Sequence, residues 1–400
     1  MITVAEAKNI IDNNKISSRI ENITVENSLE RILAENIFSP LSSPLFTNSA
    51  MDGFAVKWSD VEDFGLNSIE LRVCGESRAG SQFKGTLNSG EAIKISTGAM
   101  LPSSADTIIP VEDTETESNK VIVKYAKAKN QHVRFKGEEF ETGKLLLEKG
   151  SKIDPPKLAL LVSMGIENVK VFSKIRVAII TTGTELIKLG KKKEESQIYD
   201  SNTIMLKSAV KLSGGITDYC LSAKDNLEET VEAILEIRDK VDIILFSGGV
   251  SVGPHDHVKD AADKAGFKKL FWKVHQKPGK PLFMAIRGNT LLFGLPGNPV
   301  SALMCYTFYV HPVIIGFENN AGLLKTMNVR SKDPVNNEVP RDHFMRVKLI
   351  DEKKYFELLE KQGSNMLTSM SEADGFILLR ENESLEKDKK YKVYLFPWSY

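Results

Sequence analysis

Residues 175–185 read Ile175-Arg176-Val177-Ala178-Ile179-Ile180-Thr181-Thr182-Gly183-Thr184-Glu185. The apolar run over 175–181 has the character of a strand covered on both faces, and it ends in a polar loop built around a glycine. The same grammar repeats downstream. Residues 216–221 and 241–246 are further apolar strands, 291–293 a short one, and 200–213, 226–240 and 299–310 have helical patterning. Buried strands alternating with helices imply a parallel sheet with helices on both faces, and such sheets bind ligands beyond the carboxyl ends of their strands.

The chain on either side reads differently. Thr3 and Glu6 have capping-box spacing, so a helix starts at Thr3. Leu29, Ile32, Leu33 and Ile37 behind Ser28 have helical spacing, and Pro40 and Pro44 stop that second helix. Residues 48–135 are short apolar runs separated by glycines and polar turns, the pattern of a small β domain. Turn-rich mixed segments return after about residue 320. The expected architecture is multidomain α/β plus β. Residues 174–318 form the α/β ligand-binding domain, 48–135 a β-rich lobe, and 319–400 a C-terminal β-rich domain. Residues 1–47 and 136–173 form an N-terminal linking and dimerisation lobe.

Composition narrows the function. The 400 residues carry 53 Lys+Arg against 53 Asp+Glu, so the chain lacks the cationic excess that nonspecific nucleic-acid binding requires. The three cysteines, Cys74, Cys220 and Cys305, are isolated and fit a reducing, cytoplasmic compartment. The most apolar stretch, 302–317, is too short for a membrane span and contains His311 and Pro312.

Three loops after α/β strands carry the chemistry. They are Thr181-Thr182-Gly183-Thr184-Glu185, Ser247-Gly248-Gly249-Val250-Ser251-Val252-Gly253-Pro254-His255-Asp256, and Gly294-Leu295-Pro296-Gly297-Asn298-Pro299-Val300-Ser301. Glycines let backbone approach a ligand, and the N–H groups at a helix start bind anions. Asn298 with Pro299 behind it is an N-cap followed by proline at the first helical position. Between the second and third loops, Lys277-Pro278-Gly279-Lys280-Pro281 holds two lysines in a constrained turn, suited to a phosphate or another tetrahedral oxyanion.

Glu185 and Asp256 are the carboxylates nearest these loops, and hard oxygen ligands beside phosphates suit Mg²⁺. Asp225 and Glu228 form a D-x-x-E pattern, so Asp225 is either a helix cap or a ligand contact. His255-Asp256-His257 lacks a third ligand at zinc spacing. Neither a nucleophile elbow nor a Walker loop is present.

At these residues the chain resembles the molybdopterin molybdenumtransferase family, the MoeA proteins and the E domains of gephyrin-like proteins. The resemblance spans essentially the whole chain. It rests on Asn48-Ser49-Ala50-Met51-Asp52-Gly53-Phe54-Ala55-Val56, Ser96-Thr97-Gly98-Ala99, Thr182-Gly183-Thr184-Glu185-Leu186, the second and third loops, the lysine turn, and Gln362-Gly363-Ser364-Asn365-Met366-Leu367.

The resemblance implies insertion of molybdate into adenylated molybdopterin, with Mg²⁺ required and AMP released. It implies a homodimer in which Asp52 and Thr97 reach the cleft of the partner protomer. Upstream and downstream partners would be a molybdopterin-adenylating protein and apo-molybdoenzymes. Catalytic roles then fall to Asp52, Thr97, Glu185, Asp225 and Asp256, with Glu185 and Asp256 on the metal. Substrate binding falls to Gly183, Gly248, Gly249, Ser251, Lys277, Lys280, Pro296, Gly297, Pro299 and Ser301.

Several positions depart from the family pattern: Thr47, Thr184, Lys136-Gly137-Glu138-Glu139 in place of R-G-x-D, and Ala373-Asp374-Gly375. The competing functions are a molybdopterin adenylyltransferase, whose usual G-G-T-G loop is here Gly248-Gly249-Val250-Ser251, and a non-catalytic cofactor carrier or scaffold.

Overall fold

In the computed structural model, residues 1–14, 16–63, 68–251, 253, 256–315 and 324–399 are described. The quoted stretch forms a strand, Arg176–Thr182 (β1). After it come helix Ser201–Leu212 (α1), strand Ile216–Ala223 (β2), helix Leu227–Ile237 (α2) and strand Ile243–Ser247 (β3). Helix Val258–Lys264 (α3) and strands Lys268–Trp272 (β4), Phe283–Arg287 (β5) and Thr290–Leu295 (β6) lead to helix Pro299–Cys305 (α4).

The sheet order is β2-β1-β3-β6-β5-β4. Its first four strands are parallel, as the apolar runs implied, whereas β5 and β4 join antiparallel at one edge. A tight connection between β5 and β6 over residues 288–289 explains the difference, since antiparallel neighbours need no crossover helix.

Side-chain alternation divides the sheet between two cores. Val177 and Ile179 of β1 face Leu206, Ala209 and Val210 of α1, while Ala178 and Ile180 face Ile234 and Ile237 of α2 and Val258 and Ala261 of α3. Both faces are therefore covered.

The helix Val4–Asn13 carries the expected capping box between Thr3 and Glu6. Its Val4, Ala7 and Ile11 pack into the core beneath α1. Residues Met1–Glu21 thus belong with Phe172–Tyr400 in one compact unit, and Asn22–Val171 form the other.

After α4 the chain continues through a π-helical turn, Tyr306–Val310, into helix His311–Ile315. The C-terminal part closes into a five-stranded barrel. Asp342–Ile350 pairs with both Tyr355–Leu358 and Gly375–Leu379, and Thr326–Ser331 and Lys390–Leu395 complete the ring. The short strand Gln276–Lys277 adds to its rim, with Gln276 opposite Asp342 and Lys277 opposite His343.

The second unit contains a six-stranded sheet ordered Thr107–Pro110, Gly53–Val56, Glu91–Ile95, Ile69–Ser77, Lys120–Val123, Thr114–Glu117. The helix expected behind Ser28 does not form. Ile32 and Leu33 instead make bridges to Lys152 and Val171, and Ile37–Phe38 pairs with Leu145–Leu147. Leu33 and Ile37 are buried among Leu147, Ile153, Val169 and Val171, while Leu29 faces outward. The spacing that suggested a helix serves an extended segment that touches its neighbours intermittently.

A buried polar cluster sets an acid limit on stability. Ser213, which ends α1, bonds Ala209 O at 2.8 Å, Tyr306 OH at 2.7 Å and His311 Nδ1 at 2.8 Å. Burial pushes the His311 pKa down to about 4. Its unfolded counterpart titrates near 6.5, so the stabilisation is complete above that pH and is lost as pH falls toward 4. Burial likewise lowers His343 to about 4, assisted by the charges of Lys277, Arg341 and Arg346. Between pH 7 and 4.5, urea denaturation should show His311 alone removing about 2–3 kcal/mol. His311→Gln should flatten that part of the profile; an identical slope in the variant contradicts the assignment.

Candidate functional site

The carboxyl ends of β1, β3 and β6 open into a cavity of ≈ 620 Å³. Its wall includes Thr182 at the end of β1 and Glu185 beyond it, Ser247 at the end of β3 with Gly249, Val250, Ser251 and Asp256 beyond it, and Pro296, Gly297, Asn298 and Pro299 after β6. The three loops singled out in the sequence therefore meet at one place, each aligned by its own parallel strand.

The second loop is gripped from behind. Trp272 Nε1 donates to Val250 O at 3.0 Å and Lys259 Nζ to Ser251 O at 3.2 Å, with the Lys259 ammonium 3.6 Å from the Trp272 ring centroid. Gly248 has φ +97°, and a methyl group there would stand 2.9 Å from both the carbonyl oxygen and the hydroxyl of Thr182. Gly248→Ala should displace this loop and lower turnover about five- to 150-fold, if strain of about 1–3 kcal/mol is carried into the reacting geometry. Steady-state kinetics at a temperature where circular dichroism shows the variant fully folded provide the check.

The cavity wall contains the carboxylates Glu185, Asp200 and Asp256. Asp200 is committed to structure: it caps α1 by accepting from Thr203 N at 3.0 Å, and its other oxygen accepts from the hydroxyls of Thr203 at 2.5 Å and Thr181 at 3.2 Å. Glu185 and Asp256 are the two that the sequence singled out for a metal. Asp256 Oδ2 accepts from Gly253 N at 2.7 Å, so it also ties its own loop. Both Glu185 oxygens lie 2.8 Å from where a Cβ on Gly183 would stand, which folds the carboxylate back over its glycine.

Asp225 is not the cap of α2. Asn226 holds that position and accepts from Glu229 N at 2.8 Å, while Asp225 Oδ2 accepts from Thr184 N at 3.2 Å and fastens the first loop. Asn298 occupies the N-cap position of α4, but its side chain makes no cap bond; Nδ2 donates to Ser364 Oγ at 3.0 Å.

Lys277 is half-buried on the barrel rim, Lys280 is exposed, and the next residue, Pro281, lines the cavity. Ser301 is buried in α4, one turn behind the cavity wall. Asp52 and Thr97 lie in the other unit, where Thr97 N donates to Asp52 Oδ1 at 2.7 Å. Glu139 accepts from Ser43 Oγ at 2.6 Å in that same unit.

His255, Val252 and Pro254 lie outside the described residues. Among the described residues, no group of three His, Cys, Asp or Glu side chains is placed to hold a metal. Free thiols are found at Cys74, Cys220 and Cys305. Among the described residues, no helix is long and apolar enough to cross a membrane.

Sequence reasoning passed over Asn202. Its Nδ2 donates to Ser247 Oγ at 2.8 Å and to Gly297 O at 2.7 Å, joining the start of α1 to the second and third loops. The only signal available was its place two residues behind a good helix cap.

Family models match along the chain: the MoeA N-terminal region (domains I and II) over residues 2–165, a probable molybdopterin-binding domain over 178–315, and the MoeA C-terminal region (domain IV) over 328–396. The molybdopterin molybdenumtransferase of Haemophilus influenzae is 34% identical over 95% of each chain. The chain belongs to the MoeA family. The molybdopterin molybdenumtransferase of a Nostoc species is 35% identical over 79% of this MoeA chain and 74% of its own length. A crystal structure of the molybdopterin biosynthesis MoeA protein of Pyrococcus horikoshii superimposes with a TM-score of 0.86 at 32% identity, covering 99% of both chains. The three matched regions fall in that order on the N-terminal β-rich part, the central α/β domain and the C-terminal β domain of this chain.

Proposed function

We propose that this chain is a molybdopterin molybdenumtransferase, inserting molybdate into adenylated molybdopterin with release of AMP. The observation that carries the reading is the convergence of three anion-binding loops on one cavity beside Glu185 and Asp256, in a chain whose full-length relatives bear that name. The reaction joins an anionic adenylated pterin to a tetrahedral dianion, so the site must gather negative charge. Backbone N–H groups around Gly183, Gly249 and Gly297 receive the phosphate oxygens, while Gly248 N already donates to Leu295 O at 3.1 Å and shapes its loop. Lys277 and Lys280 supply positive potential for molybdate, with Ser251 at the cavity wall as a hydroxyl donor, whereas Ser301 is buried behind that wall. The dithiolene sulfurs belong to the substrate, and the protein contributes position and electrostatic stabilisation.

The oxygen donors fit Mg²⁺, because Glu185 and Asp256 stand at the cavity while Asp200 is consumed as a cap. Bound there, Mg²⁺ would polarise the scissile phosphoanhydride. Asp225 holds the first loop through Thr184, which favours a positioning contribution over direct contact with the substrate.

A homodimer accords with the second unit, where Phe38 and Leu145 face each other across paired strands and both are exposed, with Leu45 and Phe135 exposed as well. In that assembly the Asp52–Thr97 pair of one protomer serves the cavity of its partner. The setting is the reducing cytoplasm, with an adenylating protein upstream and apo-molybdoenzymes downstream.

The test incubates purified protein with adenylated molybdopterin and Mg²⁺, with and without molybdate, and assays both AMP and reconstitution of a molybdenum-free apoenzyme. Molybdate-dependent AMP release with reconstitution is expected. Tight pterin binding with neither output would establish a carrier instead.

A further inference from the structure

The lysine turn rests on a buried side-chain relay that the proposed reaction does not explain by itself. Gln276, only 1% exposed, precedes the turn. Its Nε2 donates back to Pro278 O at 3.1 Å and to Gly279 O at 3.2 Å, drawing both turn carbonyls inward. Its Oε1 accepts the hydroxyl of Tyr309, which is buried in the π-helical turn that follows α4. Cys305 Sγ, also buried, lies 3.5 Å from the same Nε2. The amide thus has both proton donors and its acceptor engaged, and its orientation is fixed by Tyr309. An amide held this way defines the path of the backbone between Lys277 and Lys280, because neither carbonyl can turn outward without leaving a buried donor unpaired.

The turn is also held by Val274 N, which donates to Lys280 O at 3.0 Å, by the pairing of Lys277 with His343 on the barrel, and by Pro281 at the cavity wall. Side-chain entropy would otherwise leave two long lysines poorly directed, since each ammonium is a compact charge on a flexible stem. Fixing the backbone that bears them lowers the ordering cost when an oxyanion binds.

We propose that Gln276, oriented by Tyr309, is a positioning residue that sets the Lys277–Lys280 turn for capture of the oxyanion substrate. The role rests on the functional reading above, in which those lysines attract molybdate. It acts on affinity for the oxyanion rather than on binding of the pterin.

The experiment compares Tyr309→Phe and Gln276→Glu with wild type in steady-state AMP release, varying molybdate and adenylated molybdopterin separately. Tyr309→Phe removes one hydroxyl without changing volume. Gln276→Glu keeps the shape but faces two carbonyls with a carboxylate. Tyr309→Phe should raise the KM for molybdate about three- to tenfold, the value of one net hydrogen bond, with kcat and the pterin KM within about twofold. Gln276→Glu should move the same constant further.

A general loss of packing would move all three constants together and would persist in any background. The decisive arm is therefore Tyr309→Phe combined with Lys277→Met and Lys280→Met: once both lysines are absent, the tyrosine substitution should add nothing to the molybdate KM. Equal effects in both backgrounds, or an unchanged molybdate KM in both single variants, would overturn the positioning role while wild-type turnover stands. Wild-type AMP release that is indifferent to molybdate would overturn the functional reading itself, and this role with it.

Discussion

Asp256→Ala should lower molybdate-dependent AMP release about 100- to 1,000-fold, the range expected when a pre-organised electrostatic group is removed from a site that stabilises developing charge. Two losses are combined in that variant. The carboxylate stands at the cavity wall, and its Oδ2 also accepts the Gly253 amide that shapes the second loop. Asp256→Asn separates them, because an asparagine side-chain oxygen can still accept from Gly253 N while carrying no charge. If Asp256 is a ligand of Mg²⁺, the asparagine variant remains strongly impaired and needs much more Mg²⁺ for half-maximal rate. Near wild-type turnover in the asparagine variant would make Asp256 a loop anchor only. The proposed dimer should be unaffected in both, as measured by sedimentation.

The largest effect on stability is expected at Gly53, beside Asp52. Its strand lies between two neighbours, paired with Ile95 on one side and Pro110 on the other. A Cβ at this position would come within 2.1 Å of Ile109 O and 3.0 Å of Pro110 Cα, both backbone atoms of the adjacent strand. No rotamer change relieves such a contact, so the strands must separate. Gly53→Ala should cost about 3–5 kcal/mol, at the upper end of overpacking effects. Urea denaturation followed by the signal of the 22–171 unit measures it; a loss under about 1 kcal/mol would show that the ladder yields easily. Because Thr97 N bonds Asp52, loosening this ladder should also disorder the Asp52–Thr97 pair.

What the sequence disclosed follows the range of the interactions concerned. The β1 and β3 runs, the Thr3–Glu6 capping box and the helix that begins behind Asp200 depend on neighbours within a few residues, and all stand in the structure. The three loops were also legible, since each directly follows a strand whose apolar run is plain. Local pattern leaves the outcome open where adjacent residues compete for one role. Asp225 and Asn226 are both good caps, and which of them turns toward the helix depends on Thr184, some forty residues away in the chain. The Leu29–Ile37 spacing fits a helix equally well on paper, and only contacts with Leu147 and Val171 make it extended.

Asn202 and Gln276 were silent for a related reason. An amide becomes informative only when its partners are known, and theirs lie on Ser247, Gly297 and Tyr309. Asn298 looked like an ordinary cap until Ser364 of the barrel side appeared as its partner. Local chemistry marks the loops that come to line the cavity; the residues that hold those loops in register are defined by tertiary contacts.

The central claim is that one cavity couples cleavage of the adenylated pterin to metal insertion. Its most direct measurement is stoichiometric: AMP released and molybdenum transferred to the pterin, counted in the same reaction with wild-type protein. One AMP per molybdenum, falling to background without molybdate, is the predicted result. AMP released at the same rate without molybdate, or molybdenum acquired without AMP, would contradict it.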